Sequence, residues 1–213
     1  DNINDLNKEI IIVDDFSTDG SREILKKINR DNYKIFYHNK NLGKGAAIKT
    51  AKLHVKGDIV IIQDADLEYD PKDYKKLISP IINNQAEVVY GSRVLGKKRY
   101  FIKSFSSVSR IFFNHVLTII SNIINNQKLT DAHTCYKTFS FKVFNSLDLE
   151  ENDFSFCPEV TTKISLKKIP IFEVSIEYFG RSYKQGKKIK LVDGIKALKT
   201  LIKYRFIKKW KMK

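Results

Sequence analysis

The sequence predicts an α/β fold built on a largely parallel sheet. Short runs rich in β-branched residues alternate with amphipathic stretches of about 10–13 residues. Several of these runs end in acidic residues or glycine, and turn residues follow. The 213 residues are 42% hydrophobic and 30% charged, which suffices for one large domain with a real core. A ligand crevice is expected at the carboxyl ends of the strands.

The predicted elements follow one another in the order that such a sheet requires. The predicted strands are Glu9–Asp14, Lys34–Tyr37, Asp58–Gln63, Glu87–Gly91 and 169–178. The predicted helices are 21–30, 44–53, Pro71–Asn83, 101–126, 156–168 and Leu191–Trp210. This order brings Asp14, Asp64 and Gly91 to strand ends at the mouth of the expected crevice.

Two of the predicted helices are unusual. The helix over 101–126 has a broad apolar stripe: Phe105, Val108, Phe112, Val116, Ile119 and Ile123, widened by Phe113, Leu117 and Ile120. The helix over 191–210 is basic, with Leu191, Ile195, Leu198, Ile202 and Phe206 on one face and Lys196, Lys199 and Lys203 on another. Two interpretations of the first helix stay open, a place in the core or contact with lipid.

The net charge of +15 is concentrated at one end of the chain. Residues 181–213 hold 13 Lys or Arg against a single acid, Asp193, so they carry +12. A near-neutral body with a basic end suits an anionic ligand or surface that docks at one place. We therefore predict a domain over 1–190 followed by a basic amphipathic helix over 191–213.

Cysteine spacing and hydropathy exclude several classes of protein. Cys135 and Cys157 lie 22 residues apart, which excludes a CxxC redox pair or a zinc knuckle and favours a reducing compartment. Polar residues at 110, 114 and 115 interrupt the most apolar stretch, so no membrane span is predicted.

Two acidic turns follow predicted strands. Asp64-Ala65-Asp66 places two carboxylates where Mg²⁺ or Mn²⁺ could share them with substrate phosphates, although an acidic cap on the next helix is the alternative. Asp14-Asp15 could accept hydrogen bonds from the base or ribose of a nucleotide. The glycine-rich turn Asn41–Gly45 brings Lys44 to a helix start, a weak anion-binding signal.

These motifs resemble those of family 2 glycosyltransferases of the GT-A fold. The matching motifs stand in the family's order at Val13–Gly20, Asn41–Ala47, Asp64–Glu68 and Gly91–Arg93. Two further segments, Thr130–Lys137 and Arg181–Lys188, resemble one branch of the family, the polyprenol-phosphate (dolichol-phosphate) mannosyl- and glucosyltransferases. The resemblance implies a Rossmann-like, mostly parallel sheet with flanking helices. It also implies inverting transfer of a hexose from a nucleotide-diphosphate sugar, of GDP-mannose or UDP-glucose type, to a polyprenyl phosphate.

The resemblance assigns roles on the donor side. Asp14 and Asp15 would hold the base and ribose, and Lys44 and the Asp64-Ala65-Asp66 turn would bind the nucleotide sugar. The metal ligands would be Asp64, Asp66 and Glu68, the last standing where the family often has Gln. Arg181 and Lys187 would close on the diphosphate.

On the acceptor side, Arg93 and Ser109 would hold the acceptor phosphate, with Lys103 or Arg110 as a further cation. Arg93 and Asp131 are the candidate catalytic residues. A sugar hydroxyl acceptor needs a general base, and Asp131 is the candidate. A lipid phosphate, with a second pKa near 6, needs none, and Asp131 would then organise the site.

Three further residues could either act at the site or serve the structure. Glu159 either positions the acceptor or is a solvated helix acid, and His133 and Cys135 are more typical of structural roles.

The alternative function is transfer to a sugar hydroxyl in capsule, lipopolysaccharide or other glycan synthesis. A nucleotide-sugar pyrophosphorylase would need a glycine-rich basic loop after its first strand, which the sequence lacks, and no nucleic-acid partner is expected.

The expected location is cytoplasmic, peripheral on the cytoplasmic face of a membrane. The 191–213 helix would meet an anionic membrane surface, and a separate membrane-anchoring subunit is a possible partner. Relatives open with a strand and helix ahead of Glu9–Asp14, whereas Asp1–Leu6 is too short and polar to supply them. We therefore expect an N-terminally truncated sequence that is unstable or inactive alone.

Overall fold

The structure is a computed structural model that describes residues 6–96, 105–181 and 191–207. Its strands are β1 (Ile10–Asp14), β2 (Tyr33–Tyr37), β3 (Ile59–Ile61), β4 (Val88–Ser92), β5 (Lys137–Ser140) and β6 (Ile171–Ser175). Its helices are α1 (Ser21–Leu25), α2 (Lys44–Lys52), α3 (Tyr74–Ile82), α4 (Phe105–Asn125), α5 (Phe141–Ser146), α6 (Phe156–Leu166) and α7 (Leu191–Ile202). A 3₁₀ turn at Pro71–Asp73 precedes α3, and a π-helical turn at Lys203–Ile207 follows α7.

Hydrogen bonding divides the described strands into two groups. β1 pairs with β2 in parallel. The other four strands form a sheet in the order β3-β5-β4-β6, in which β4 and β6 are parallel and β5 runs antiparallel to both of its neighbours. The predicted α/β class with a mostly parallel sheet is confirmed, and β5 is the exception within it.

Several element boundaries differ from the prediction. β5 and α5 were not predicted, because a strand of four residues that contains Lys137 has neither the length nor the apolar composition that marks the others. The helix predicted over 21–30 ends at Leu25, and none of its side chains is buried. A helix without a buried face has little to sustain it beyond one or two turns.

The core lies around β4 and α6. All five residues of β4 are buried, and so is every residue of α6 from Phe156 to Ile164. Leu77 of α3 and Phe139 of β5 join the same apolar cluster. Both α4 and α7 pack against α6 and against each other. No helix in the described ranges is long and apolar enough to cross a bilayer.

Candidate functional site

The turn after β1 is held together by its own two carboxylates. Asp14 is buried, and it accepts hydrogen bonds from Arg22 Nε at 2.6 Å and from the Ser17 amide at 3.2 Å. Burial opposes ionisation of Asp14, but these hydrogen bonds and the Arg22 charge outweigh it and lower its pKa. Asp14 thus fastens the turn to α1, and its contact with a nucleotide stays a prediction.

Asp15 links the same turn to the glycine-rich turn at 41–45. Its carboxylate accepts hydrogen bonds from the amides of Leu42 at 2.8 Å and Gly43 at 2.7 Å, and it lies 2.7 Å from His38 Nδ1. Phe16, directly after Asp15, has a φ of 65°, a strained left-handed conformation for a residue with a side chain. Two motifs predicted to share a nucleotide site therefore lie in direct contact.

The glycines of that turn are required by a close approach of the loop at 150–153. A Cβ atom on Gly45 would collide with the carbonyl oxygen of Glu151, and one on Gly43 with that of Asn152. The Ala46 amide donates to the Asn152 carbonyl at 3.0 Å, at the first turn of α2. This contact directs Lys44, the first residue of α2, toward the second acidic turn.

In the turn after β3, each predicted metal ligand faces a cation of the protein. Lys44 Nζ lies 2.7 Å from the carboxylate of Asp64, and Arg181 Nη2 lies 2.9 Å from that of Asp66. Leu67 follows with a φ of 60° and an exposed side chain. Asp64 and Asp66 thus gather positive charge from two different parts of the chain.

Glu68 is placed differently from its two neighbours. Its carboxylate is buried, and it accepts hydrogen bonds from Tyr178 Oη at 2.9 Å and from the Arg181 amide at 2.8 Å. Within the described ranges, no three acidic, His or Cys side chains converge as a metal site would need. Glu68 anchors the 178–181 segment, and its role as a third metal ligand beside Asp64 and Asp66 stays a prediction.

The carboxylates of Asp64 and Asp66 fit a hard divalent cation that also binds oxygen atoms of a ligand. Asp64 and Asp66 supply carboxylate oxygens, and their pairing with Lys44 and Arg181 marks the turn as a place that attracts positive charge. Mg²⁺ and Mn²⁺ are commonly held by one or two carboxylates, with substrate phosphates completing the shell. Ala65 separates the two carboxylates and offers no side-chain ligand.

At the end of β4, Arg93 is fixed by Asp131. Arg93 Nε and Nη2 donate to the two carboxylate oxygens at 2.6 and 2.7 Å, and the Arg93 amide donates at 3.2 Å. Burial opposes ionisation of Asp131, but the charge of Arg93 and its hydrogen bonds outweigh burial and hold the pKa below its usual range. Asp131 is therefore a weak proton acceptor and a strong anchor for Arg93.

Glu173 of β6 anchors the loop that carries Asp131, and sequence reasoning missed it. Its carboxylate accepts hydrogen bonds from the Thr130 amide at 2.7 Å, the Thr130 hydroxyl at 3.0 Å and the Asp131 amide at 3.0 Å. On the other side of the loop, the Asn122 side chain pairs with both backbone groups of Leu129. The one available signal was an acid that interrupts the apolar run at 169–174 within the predicted strand.

Tyr178 joins the two halves of the site and was also missed. Its hydroxyl donates to Glu68, directly after the acidic turn at 64–66, while its ring lies 5.2 Å from the guanidinium carbon of Arg93. Arg181, three residues later, reaches Asp66. The acidic turn and the Arg93–Asp131 pair are therefore parts of one continuous site.

Other predicted residues lie apart from this site or outside the described side chains. Glu159 is fully buried, pairs with Lys163 at 2.7 Å and accepts from the amides of Glu150 and Glu151, so neither predicted role fits it. Burial lowers the pKa of His133 to about 4 and raises that of Cys135 to about 12, which favours structural roles. Lys103 and Lys187 lie outside the described residues, as do the side chains of Ser109 and Arg110.

Comparison with known proteins identifies a family. Residues 1–148 match Glycosyl transferase family 2. An uncharacterized protein of Methanocaldococcus jannaschii is 28% identical over 200 residues, covering 92% of this chain and 80% of that protein. A UDP-N-acetylglucosamine–dolichyl-phosphate N-acetylglucosaminyltransferase of Methanococcus voltae is 28% identical over 212 residues, covering 91% and 83%.

Eukaryotic relatives and solved structures agree with that match. A dolichyl-phosphate beta-glucosyltransferase of Trichomonas vaginalis is 28% identical over 218 residues; the match covers 94% of this chain but only 62% of that longer protein. Glucosyl-3-phosphoglycerate synthase of Mycobacterium tuberculosis, solved with Mn²⁺, UDP-glucose and glycerol 3-phosphate, superposes with a TM-score of 0.62 at 14% identity, covering 96% of this chain and 72% of that one. This structural likeness shows a shared fold.

Proposed function

The chain belongs to glycosyl transferase family 2, and from that premise we propose that it transfers a hexose from a nucleotide-diphosphate sugar to a polyprenyl phosphate. The observation that carries the acceptor assignment is the Arg93–Asp131 pair, which fixes a guanidinium beside the acidic donor turn. Guanidinium groups recognise phosphate oxygens well. The Methanococcus voltae and Trichomonas vaginalis relatives are both named for transfer to dolichyl phosphate, which agrees with this choice of acceptor.

On the donor side, the turns at 14–16 and 41–45 would enclose the nucleoside. Asp15 already binds two backbone amides of the second turn, so it sets the width of that pocket. The diphosphate would lie beside Asp64 and Asp66, which would hold Mg²⁺ or Mn²⁺. The metal supplies charge neutralisation of the diphosphate when it is bound. Lys44 and Arg181, which now face those carboxylates, are positioned to contact phosphate oxygens.

The reaction would be a single displacement with inversion. An acceptor phosphate oxygen forms a bond to the anomeric carbon while the bond from that carbon to the diphosphate oxygen breaks. The electron pair leaves with the nucleoside diphosphate, whose charge Lys44 and Arg181 stabilise. Arg93 orients the acceptor phosphate, and Asp131 keeps Arg93 in place.

The state of Asp131 favours a phosphate acceptor over a hydroxyl. A hydroxyl must lose its proton as the new bond forms, and the base should have a pKa near the working pH. The lowered pKa of Asp131 and its two contacts with Arg93 make it unsuited to that task. A lipid phosphate is mostly ionised at neutral pH and needs no base.

A cytoplasmic, membrane-peripheral location with an anionic lipid surface as partner follows from this acceptor. Part of the basic end is engaged internally, since Lys196 pairs with Asp153 at 2.9 Å and Lys203 with Glu151 at 2.6 Å. Attraction to lipid would therefore depend on other cations of the segment over 181–213. A separate membrane-anchoring subunit stays a prediction.

The test is a transfer assay with a panel of radiolabelled donors: UDP-glucose, GDP-mannose and UDP-N-acetylglucosamine. With Mn²⁺ and a short-chain polyprenyl phosphate in detergent, label from one donor should enter the organic phase. The product should resist mild base and yield to mild acid, as a sugar phosphodiester of a polyprenol does. Label that enters only water-soluble glycans would assign the chain to the alternative class that glycosylates sugar hydroxyls.

A further inference from the structure

The long helix α4 is polar on its buried side and apolar on its exposed side. The side chains of Thr118, Ser121 and Asn125 are buried, and Asn125 Nδ2 lies 3.3 Å from Ser121 Oγ and 3.2 Å from Thr162 Oγ1 of α6. The exposed residues are large and apolar: Phe112, Phe113, Ile119 and Ile123. The interpretation of this helix as core is wrong for these four residues, because a surface helix in water has the opposite pattern.

The C-terminal helix α7 repeats this arrangement. It packs inward through Ala197, Thr200 and Leu201, and Tyr204 of the following turn is buried as well. The exposed apolar residues are Val192, Ile195, Ile202, Phe206 and Ile207. Three of them belong to the apolar face predicted from the sequence, so that face is turned away from the core.

The two apolar faces lie side by side. Both helices pack against α6, which is itself buried, and they also pack against each other. A Cβ atom on Gly194 of α7 would lie 3.8 Å from Leu117 of α4, which shows how closely they approach. The sides of α4 and α7 that face away from α6 therefore form one surface. We name it the outward face: Phe112, Phe113, Ile119, Ile123, Val192, Ile195, Ile202, Phe206 and Ile207.

We propose that the outward face inserts into the headgroup region of an anionic lipid bilayer. Soluble proteins rarely expose a continuous apolar patch of this kind without a partner. The segment over 181–213, which contains α7, carries +12 by sequence. Arg181, Lys196 and Lys203 pair with acids of the body, and the other ten cations of the segment complement anionic lipid. A second copy of the chain is a poor fit, since joining two such faces would bring two segments of +12 together.

The inner side of α4 connects the outward face to the acceptor site. This step of the inference rests on the proposed lipid acceptor. Asn122 of α4 holds Leu129, directly ahead of the loop whose Asp131 fixes Arg93. One helix therefore presents apolar side chains outward and supports the phosphate site inward. An acceptor could keep its chain in the bilayer while its phosphate meets Arg93.

Vesicle sedimentation tests the proposal. The wild-type chain, Ile119→Ser/Ile123→Ser and the control Leu53→Ser/Ile82→Ser are mixed with vesicles of phosphatidylcholine and phosphatidylglycerol. The control removes two apolar side chains of comparable exposure from the ends of α2 and α3. The α4 variant should bind at least about tenfold more weakly than wild type, whereas the control should match wild type. Equal binding of all three, or no binding by wild type, would overturn the proposal.

Depth of insertion gives a second, independent measurement. The chain has one Trp, so Phe112→Trp in a Trp210→Phe background places a single indole on the outward face. Brominated lipid should quench its fluorescence and anionic vesicles should shift its emission to the blue. Sedimentation without quenching would show adhesion by the basic end alone. A concentration-dependent dimer that Ile119→Ser/Ile123→Ser dissociates would assign the face to a second copy.

Failure of this proposal can be told apart from failure of the proposed function. Sugar transfer to a short-chain acceptor in detergent does not require a bilayer, so the two readouts are separate. Transfer in detergent without vesicle binding would overturn the proposed membrane insertion and support the proposed transferase activity. Vesicle binding without transfer from any donor would support the insertion and overturn the proposed activity.

Discussion

Two halves of the molecule are stabilised in different ways. After their proposed roles, we call the half built on β1, β2, α1 and α2 the donor half and the half built on β3–β6 and α3–α7 the acceptor half. In the donor half, β1 and β2 are half-buried along almost their whole length, and α1 has no buried side chain. Polar contacts such as Asp14–Arg22 and Asp15–His38 hold it together. In the acceptor half, β4 and α6 lie in a continuous apolar core. Among the described strands, β1 pairs with β2 and with no strand of the other group.

This difference indicates where the molecule is rigid and where it can respond to a ligand. Arg93 and Asp131, the proposed acceptor-side residues, are held by a core that is formed without substrate. The donor turns are held by charges and backbone amides, which are groups that a nucleotide can also engage. We expect the donor half to open more readily and to gain the most order when donor binds.

The largest expected effect comes from breaking the buried ion pair of the acceptor half. Glu159→Ala removes the carboxylate that lies 2.7 Å from the buried Lys163, whose other acid, Glu150, lies farther away at 3.6 Å. The change also removes the acceptor for the amides of Glu150 and Glu151. The free energy of unfolding should fall by about 3–5 kcal/mol in urea denaturation. Replacing both residues, as Glu159→Met/Lys163→Met, should cost less than the single change. A single variant within about 1 kcal/mol of wild type would contradict a rigid acceptor half.

A large loss of turnover is expected where the two halves meet. Asp66 faces Arg181, which lies beyond β6, and its neighbour Asp64 faces Lys44, the first residue of α2. Asp66→Asn should lower turnover by about a thousandfold, because it removes the charge of a proposed metal ligand while it keeps the size of the side chain. Thermal unfolding without ligand should be nearly unchanged, and stabilisation by UDP with Mn²⁺ should disappear. Full activity of this variant in EDTA would exclude a metal at this turn.

Sequence patterns predicted most of the strands and the acidic turns, because each of these signals is local. β1, β3 and β4 end near acids or glycine, and the side chains of Asp64, Asp66 and Arg181 do come together. Glu173 and Tyr178 were missed because their partners lie far away in the chain, at Thr130 and Glu68. Periodicity identified the apolar faces of α4 and α7, but it carries no information on which face of a helix meets the core.

A moderate effect on catalysis should follow from loosening the loop that carries Asp131. Glu173→Ala removes three hydrogen bonds from Thr130 and Asp131, whereas Glu173→Gln keeps an oxygen acceptor in place. The alanine variant should raise the acceptor KM by about tenfold with little change in the donor KM, and glutamine should restore part of that loss. Equal changes in both KM values would mean that Glu173 acts on general stability and does not position Arg93.

The smallest effect, and the most selective, is expected from acid. Burial opposes ionisation of Asp14 and Asp15, but hydrogen bonds outweigh it, so both pKa values lie below their usual range in the folded state. Their stabilisation is present above the unfolded pKa near 3.9 and is lost as pH falls through the lower folded values. Acid also weakens the Asp131–Arg93 pair, since the pKa of Asp131 is lowered as well, but β4 lies in the apolar core. Hydrogen exchange should therefore show β1 and α1 opening before β4 as the pH falls through that range. Simultaneous loss of protection in β1 and β4 would contradict a difference in acid stability between the two halves.

In the proposed reaction, a fixed Arg93 serves a lipid phosphate acceptor without a general base. The most direct test of this mechanism is kcat/KM for a short-chain polyprenyl phosphate and for the polyprenol that lacks only the phosphate, in wild type and in Asp131→Asn. We predict sugar transfer to the phosphate alone, with a pH profile that falls through the second ionisation of the acceptor near 6. Transfer to the polyprenol at a comparable rate, abolished by Asp131→Asn, would contradict the account and make Asp131 the base.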